Sequence, residues 1–159
     1  MVTSIVRRRT ALKPGLDRLY ESFNAPASAT DPIELVRRYT RPDDLEVVAF
    51  CAAGLAFGRV ASVMQSIERV LAVLGRSPAG FIRRFEPDRD GRVLEGFAHR
   101  WMRGIDVVAL FWVLRQMLDR SGSIESFFLE GDPGGEDIGA ALDAFSARAL
   151  ALDLARVYG

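Results

Sequence analysis

The stretch EVVAFCAAGLAFGRVASVMQSIERVLAVLG, which runs from Glu46 to Gly75, determines the predicted fold. Its second half repeats apolar residues at the i, i+3, i+4, i+7 spacing of one helical face. Its first half, Leu45 to Leu55, has almost no polar side, which is typical of a buried central helix. The stretch therefore predicts two helices joined at Gly54–Gly58. The striped residues of the second helix are Val60, Val63, Met64, Ile67, Val70, Leu71 and Leu74.

Three further segments predict helices by the same spacing. A first helix is expected over Leu12 to Phe23, with Leu16, Leu19, Tyr20 and Phe23 on one side. A long helix is expected to end at Ser121-Gly122, and its stripe is Val107, Leu110, Phe111, Leu114, Met117 and Leu118. A last helix from about Glu136 to the chain end has Ile138, Leu142, Phe145, Ala149, Leu152 and Val157 on its inward side.

Capping residues mark the starts of shorter helices. Asp31-Pro32-Ile33-Glu34 combines an N-cap aspartate, a proline at the first helical position and an acid two residues later. It predicts a helix that stops near Thr40 and turns Ile33 and Val36 inward, with Leu35 as a further candidate. Asp43–Glu46 reads as a capping box for the central helix, and Ser77-Pro78 and Ser123 open two more. We expect an all-α single domain over residues 1–159, an orthogonal bundle of about seven or eight helices without a sheet.

Composition excludes several classes of function. The chain has 21 basic and 21 acidic residues, so no global field attracts nucleic acid or membrane. Cys51 is the one cysteine, which excludes a disulfide or a cysteine metal site within the chain. The longest uncharged run, Val47 to Gly58, is too short to span a bilayer. We therefore expect a cytoplasmic protein with no membrane contact.

Motifs for catalysis, metals or cofactors are not found in the sequence. His99 is the one histidine, and without a second histidine or an available cysteine it cannot complete a zinc site. A hydrogen-bonded place in a structural corner is its expected role. No GxGxxG or phosphate-binding loop occurs, so we expect no cofactor, no metal and no catalytic residue in this chain.

Arginine supplies nearly all the positive charge, since Lys13 is the one lysine. A GC-rich codon bias and selection for phosphate contacts both produce this pattern. Arg59 stands at a predicted helix start, where it either helps to hold an anion or reaches an acid elsewhere. The basic arm Arg7–Arg9 is either a solvated terminus or a nucleic-acid contact.

Four motifs resemble a bacterial family of uncharacterised proteins, known as domain of unknown function twenty-four hundred. They are DPIELVRRY (Asp31–Tyr39), EVVAFCAAGLAFGRV (Glu46–Val60), HRWMRGIDVVALFWVLRQML (His99–Leu118) and GSIESFF (Gly122–Phe128). The resemblance covers essentially the whole chain. That family is in turn distantly similar to the helix-hairpin-helix, endonuclease-three-like DNA glycosylases.

The resemblance implies the N-terminal half of a larger helical fold. In the resembled enzymes a hairpin that grips phosphates and a segment with a catalytic aspartate follow the part that matches this chain. Neither is present before Gly159, so the resemblance implies no catalytic residue here, and the chain is expected to be a truncated gene product or a fragment. The glycosylases place residues that wedge into the duplex near the junction Gly54–Arg59, where this chain has Gly54 and Phe57.

Two functions from different classes follow. The first is a DNA-glycosylase-like, DNA-repair protein that binds DNA weakly through phosphate contacts at Arg59, Arg83, Arg84, Arg100 and Arg103. The second is a non-catalytic helical scaffold or protein-interaction module. In either case we expect bare apolar surface that serves the missing C-terminal half or self-association. The expected residues are Ile138, Leu142, Phe145, Leu152, Phe127 and Phe128.

Overall fold

The computed structural model describes residues 2–23, 31–135 and 137–159. The first half of the chain contains α1 (Val2–Phe23), α2 (Ile33–Val36), α3 (Pro42–Leu55), α4 (Val60–Leu74) and α5 (Pro78–Arg84). It continues with α6 (Pro87–Asp90), a 3-10 helix (Gly91–Leu94), β1 (Ala98–His99) and β2 (Met102–Arg103). The remaining helices are α7 (Gly104–Ser121), α8 (Ile124–Leu129), α9 (Gly139–Leu150) and α10 (Ala155–Tyr158).

The all-α class is confirmed, with two corrections. The described residues form ten α-helices rather than seven or eight, because α6 and α10 have four residues each and are too short to show a helical period of their own. A two-stranded antiparallel ribbon is present although no sheet was expected. Its strands have two residues each, too few for an alternating pattern to be recognised.

The core lies between α3, α4 and α7, as the apolar stripes predict. On α4 the stripe is buried from Val63 to Leu74 except for the half-buried Met64, and Val60 is 47% exposed at the first turn. On α7 the stripe is buried except for the half-buried Leu110. On α3 one side is buried, while Ala53 and Gly54 face solvent, so this helix is central without being enclosed.

Two acids of α3 stabilise the starts of other helices. The predicted capping box is wrong: α3 begins at Pro42, and its N-cap Arg41 makes no side-chain cap hydrogen bond. Instead, Asp44 Oδ1 accepts from the Ala79 amide at 2.9 Å, in the first turn of α5. Glu46 Oε2 accepts from the Ile124 amide at 2.9 Å, at the first residue of α8. First-turn amides have no intrahelical partner, so the two carboxylates join α3 to both helices.

The predicted junction and the predicted α2 also require correction. Gly54 lies inside α3, and Gly58 alone of the two glycines has a positive φ, at +114°. Helix α2 ends at Val36 rather than near Thr40, and it buries Leu35 and Val36. Ile33 is 44% exposed, because the helix starts one residue later than Asp31-Pro32 suggests.

The predicted last helix is two helices, α9 and α10, separated at residues 151–154. Ile138 and Leu142 are 60% and 49% exposed. Their predicted place on the inward side of the last helix is therefore wrong, and the expectation that they form bare apolar surface is confirmed. Phe127, expected to be bare, is fully buried. Phe145 packs edge-on against the Phe127 ring at 5.6 Å, and the Arg148 guanidinium covers it at 4.5 Å. Phe128, Phe145 and Leu152 are half-buried.

Helix α1 begins at Val2 rather than Leu12, and its apolar side is exposed. The side chains of Arg7, Arg8 and Arg9, and the loop of residues 24–30, lie outside the described part of the chain. Among the described residues, no helix is long and apolar enough to cross a membrane.

Candidate nucleic-acid interface

A buried histidine joins the β1–β2 ribbon to the α3–α4 junction. His99 Nε2 lies 3.1 Å from the Phe57 carbonyl oxygen, and His99 Nδ1 lies 2.9 Å from the Ser66 hydroxyl. A carbonyl can only accept, so Nε2 donates to Phe57, while the Ser66 hydroxyl can either donate to Nδ1 or accept from it. Both ring nitrogens are thus engaged within the protein, and the role of His99 is structural, as expected from the sequence.

Two aromatic rings extend outward from this histidine. The Phe57 ring lies 4.7 Å from the imidazole, tilted by 59°. Trp101 stacks on Phe57 with ring centroids 4.5 Å apart and planes only 16° apart. Trp101 is nevertheless 75% exposed. One indole face is thus held against Phe57, and the rest of the ring is open to solvent.

Arg100 occupies a strained position in the ribbon turn. Ala98 pairs with Arg103 and His99 with Met102, which leaves Arg100 and Trp101 as a two-residue turn. Arg100 has φ +57° and is the one described non-glycine residue with positive φ. A positive φ at the first turn position alone matches a type II′ turn, where glycine is the usual residue. Such backbone strain costs about 1–3 kcal/mol.

Gly58 allows Arg100 to lie against the junction. A Cβ at Gly58 would be 2.9 Å from Arg100 Nε, so a side chain at this position would displace the guanidinium. Arg59 is the next residue and is the N-cap of α4, and the first turn of α4 contains no acidic residue. Arg59 and Arg100, 41 positions apart in sequence, therefore lie at one corner. We call Phe57, Arg59, His99, Arg100 and Trp101 the open corner.

Neither exposed arginine of the open corner is engaged elsewhere. Within the described part of the chain, the side chains of Arg59 and Arg100 make no ion pair and no hydrogen bond. Asp31 lines a neighbouring groove of about 380 Å³ with Gly58 and Val60, and its Oδ1 accepts from the Ile33 amide. The corner thus carries two arginines without an ion-pair partner among the described residues, beside an open aromatic face.

The other three predicted arginines are not at this corner. Arg83 Nη2 donates to the Gly122 carbonyl at 2.7 Å and lies 3.8 Å from Asp43 Oδ2, at the C-terminal end of α7. Arg84 is exposed on the same short helix α5. Arg103 is exposed at the base of the ribbon, at the N-terminal end of α7. The 18 residues of α7 place Arg83 and Arg84 about 27 Å from Arg103 and the open corner.

Arg103 lines the larger cavity, of about 620 Å³, between the ribbon and α10. Two other arginines, Arg92 and Arg156, line it with the acids Asp88 and Glu95. Its charges are mixed, and Arg156 Nη2 is already paired with Asp88 Oδ2 at 2.7 Å. Three arginines and two acids thus line this cavity and largely offset one another, whereas neither arginine of the open corner has an ion-pair partner among the described residues.

Comparison with known proteins identifies a family. The model of a family described as proteins of unknown function, DUF2400, matches residues 31–157. The chain belongs to the DUF2400 family. No curated protein and no solved structure is detectably similar to it. The predicted family is confirmed, and its description assigns no activity.

The stacked pair Phe57–Trp101 is the part of the DUF2400 site that sequence reasoning missed. The segment HRWMR, from His99 to Arg103, did place a tryptophan between two arginines in a polar stretch. Its partner Phe57 lies 44 positions earlier, and no local pattern connects the two. The contact follows from the His99–Phe57 hydrogen bond, which is a tertiary feature.

Residues with shifted pKa values lie elsewhere in the chain. Hydrogen bonds from Arg115 and then Arg156 lower the pKa of Glu86. A hydrogen bond from Arg89 lowers the pKa of Asp90. These groups join α6, α7 and α10 and are ion-paired, as structural carboxylates are.

The described residues contain no cluster of metal-binding side chains, and their one cysteine is buried. Among them no set of three or more histidine, cysteine, aspartate or glutamate side chains could hold a metal ion. Every buried side-chain polar atom in the described ranges has a hydrogen-bond partner. Burial raises the pKa of Cys51 to about 12, which keeps the thiol protonated and unreactive at neutral pH.

Proposed function

We propose that this DUF2400 chain binds nucleic acid weakly through phosphate contacts at Arg59 and Arg100. It would act as the non-catalytic N-terminal part of a DNA-glycosylase-like, DNA-repair protein of the cytoplasm. The carrying observation is the open corner, where two exposed arginines without ion-pair partners among the described residues flank an exposed tryptophan. The glycosylase-like ancestry rests on the motif resemblance alone.

The five predicted arginines contribute unequally under this proposal. Arg59 and Arg100 are the primary phosphate contacts, and Arg103 lies at the base of the same ribbon. Arg83 already donates to Gly122, so it is a structural residue. Arg84 is about the length of α7 away and contributes at most a peripheral contact. With zero net charge, a few local contacts give dissociation constants of order 10⁻⁴–10⁻⁶ M at physiological salt.

Fluorescence anisotropy with a labelled duplex between 50 and 200 mM salt tests the proposal. Each phosphate contact contributes roughly 0.9 to the slope of log K against log salt. The double variant Arg59→Ala/Arg100→Ala should therefore lower the slope by about 1.8. Arg18→Ala/Arg76→Ala is the matched control, because it removes the same charge from two exposed positions outside the open corner.

An equal loss in both double variants would mean that binding is diffuse and would overturn the assignment to the open corner. Absence of saturable binding by the unaltered chain would overturn the proposed function itself. We expect no release of a base from lesion-bearing duplex. Hydrolysis of an N-glycosidic bond needs a carboxylate beside a flipped-out nucleotide, and no residue of this chain is assigned that role.

A non-catalytic scaffold or interaction module is the second candidate function, and one observation favours it. Helix α1 exposes Leu12, Leu16, Leu19, Tyr20 and Phe23, each between 55% and 69%. Contiguous apolar surface of this kind marks an interface or an aggregation liability. Its partner would be a C-terminal half absent from this chain or a second copy.

Light scattering during size-exclusion chromatography distinguishes these outcomes. Dimers, aggregates or a broad thermal transition are expected if the exposed apolar residues need a partner. A monomer with a sharp, cooperative transition would contradict the scaffold candidate and the expected truncation.

A further inference from the structure

We propose that the Phe57–Trp101 pair is a stacking platform for an unpaired base of single-stranded nucleic acid. Arg59 and Arg100 would contact the phosphates that flank this base. The inference rests on the proposed nucleic-acid binding and deepens it by naming the class of ligand.

Two properties of Trp101 support the inference together: its ring is exposed, and it is held in a fixed position. A tryptophan that is 75% exposed forgoes most of the stabilisation that burial of its large apolar ring would contribute. Trp101 is nevertheless held parallel to Phe57 at 4.5 Å. Phe57 is in turn fixed by His99, which is bound on both ring nitrogens. The outer indole face is therefore preorganised, so little side-chain entropy is lost when a base stacks on it.

Arg100 supplies the second observation. A glycine would adopt its positive φ without strain, yet the position carries a long cationic side chain. Strained backbone of this kind concentrates at functional sites. Arg100 directly precedes Trp101, and Arg59 lies across Gly58, so positive charge borders the platform on two sides. Aromatic platforms combined with cations that follow the backbone are how proteins bind single strands without reading sequence.

A single strand fits this arrangement better than a duplex. In a duplex each base already stacks on its neighbours, so an open indole face finds no partner without unstacking. Stacking on an aromatic side chain strengthens binding by roughly 5- to 150-fold per base. The platform has one open face, so we expect a single base to account for the effect.

Anisotropy with three labelled probes of equal length tests the inference. The probes are a thymidine 12-mer, a 12-mer of abasic sites and a 12-base-pair duplex. The unaltered chain should bind the thymidine strand at least about 5-fold more tightly than the abasic strand, which has the same phosphates but no bases. Trp101→Ala should abolish this difference and leave the salt slope unchanged. Trp101→Phe should restore part of it.

Tyr20→Ala is the matched control, because Tyr20 is 67% exposed on α1 and should not alter binding. Thermal melts of each variant establish that it folds. If all three probes bind alike and Trp101→Ala changes nothing, the platform is overturned while the proposed phosphate binding stands. If no probe binds, the proposed function falls and the platform falls with it. A preference for the duplex that is lost in Trp101→Ala would also overturn the single-strand assignment.

Discussion

At the C-terminal end of α7, Arg83 donates to the Gly122 carbonyl and lies beside Asp43, while Asp44 and Glu46 hold the starts of α5 and α8. At the N-terminal end, Arg59 and Arg100 are exposed with no ion pair among the described residues. We call the first region the paired end, defined by Asp43, Asp44, Glu46, Arg83 and Gly122. The second is the open corner defined above.

The contrast shows what distinguishes a structural arginine from one that is available to a ligand. The difference is whether its side chain has a partner within the protein, and not how many arginines the region contains. At the paired end Asp44, Glu46 and Arg83 each satisfy a helix terminus whose backbone groups would otherwise lack partners, and Asp43 lies beside Arg83. At the open corner the buried polar groups are satisfied by His99, so the arginines above it are not needed for this purpose. Substitutions at the two regions should therefore affect different measurements.

Asp44→Ala should produce the largest loss of stability at the paired end. Asp44 is 3% exposed and accepts from the Ala79 amide, so its removal leaves a buried donor unsatisfied. Hydrogen bonds to charged groups contribute about 1.5–3 kcal/mol, and we expect a loss in that range from urea denaturation. Asp43→Ala is the control: its pair with Arg83 is half-exposed and should contribute less than about 1 kcal/mol. Equal effects would contradict the capping role of Asp44.

Arg83→Ala and Arg84→Ala compare adjacent arginines of α5 with different partners. Arg83→Ala should lower the free energy of unfolding by about 1 kcal/mol, because the Gly122 carbonyl at the end of α7 loses its donor. Arg84→Ala should remain within about 0.5 kcal/mol of the unaltered chain. Neither should reduce binding to single strands appreciably. A larger binding defect in Arg83→Ala than in Arg59→Ala would reverse the assignment of the two regions.

The fold could be predicted from the sequence where helices are long. The stripes of α4 and α7 each repeat over about three turns or more, so burial of Ile67, Val70, Phe111 and Leu114 followed from spacing. The four-residue helices and two-residue strands carry no such repeat. The acids of α3 were assigned to the wrong helix because local sequence cannot show that Asp44 reaches Ala79, 35 positions later.

The candidate site was predictable only in part. Arg59 is predicted from its place at a helix start, and Arg100 from the resemblance and from the arginines gathered at helix starts and corners. Their proximity depends on His99, which connects residues 42 positions apart through the Phe57 carbonyl. The positive φ of Arg100 was also hidden, because arginine gives no signal for a turn position that glycine normally occupies.

Arg100→Gly should stabilise the chain by roughly 0.5–1 kcal/mol. Substitutions at the paired end, by contrast, should destabilise it. Glycine adopts φ +57° without strain, and the relief exceeds the entropy that glycine loses on folding. Arg100→Ala keeps the strain and removes the guanidinium, so it should be the less stable of the two. Both should weaken nucleic-acid binding equally. A glycine variant less stable than the alanine variant, measured by urea denaturation, would show that the turn is not strained.

The decrease in the free energy of unfolding at acid pH should come from the ion pairs along α7 and not from the open corner. This is the smallest effect we expect. Glu86 accepts from both Arg115 and Arg156, and these hydrogen bonds lower its pKa below the ordinary value of about 4.3. A carboxyl with a lowered pKa in the folded state contributes stability at pH values above its unfolded pKa. That contribution is lost as the pH falls through the folded pKa.

Urea denaturation at intervals between pH 6 and pH 2 should therefore show a decline below about pH 4 that is shallower in Glu86→Gln than in the unaltered chain. Glu68→Gln is the control, since Glu68 pairs with Arg38 on the exposed side of α4. Exposed pairs contribute little, so this variant should keep the full decline. Because Glu86 is partly open to water, screening limits the difference, and added salt should reduce it further. If Glu86→Gln and the unaltered chain decline in parallel, the arginine pairs at Glu86 do not stabilise the fold. The contrast between the paired end and the open corner would then rest on the helix-terminus contacts alone.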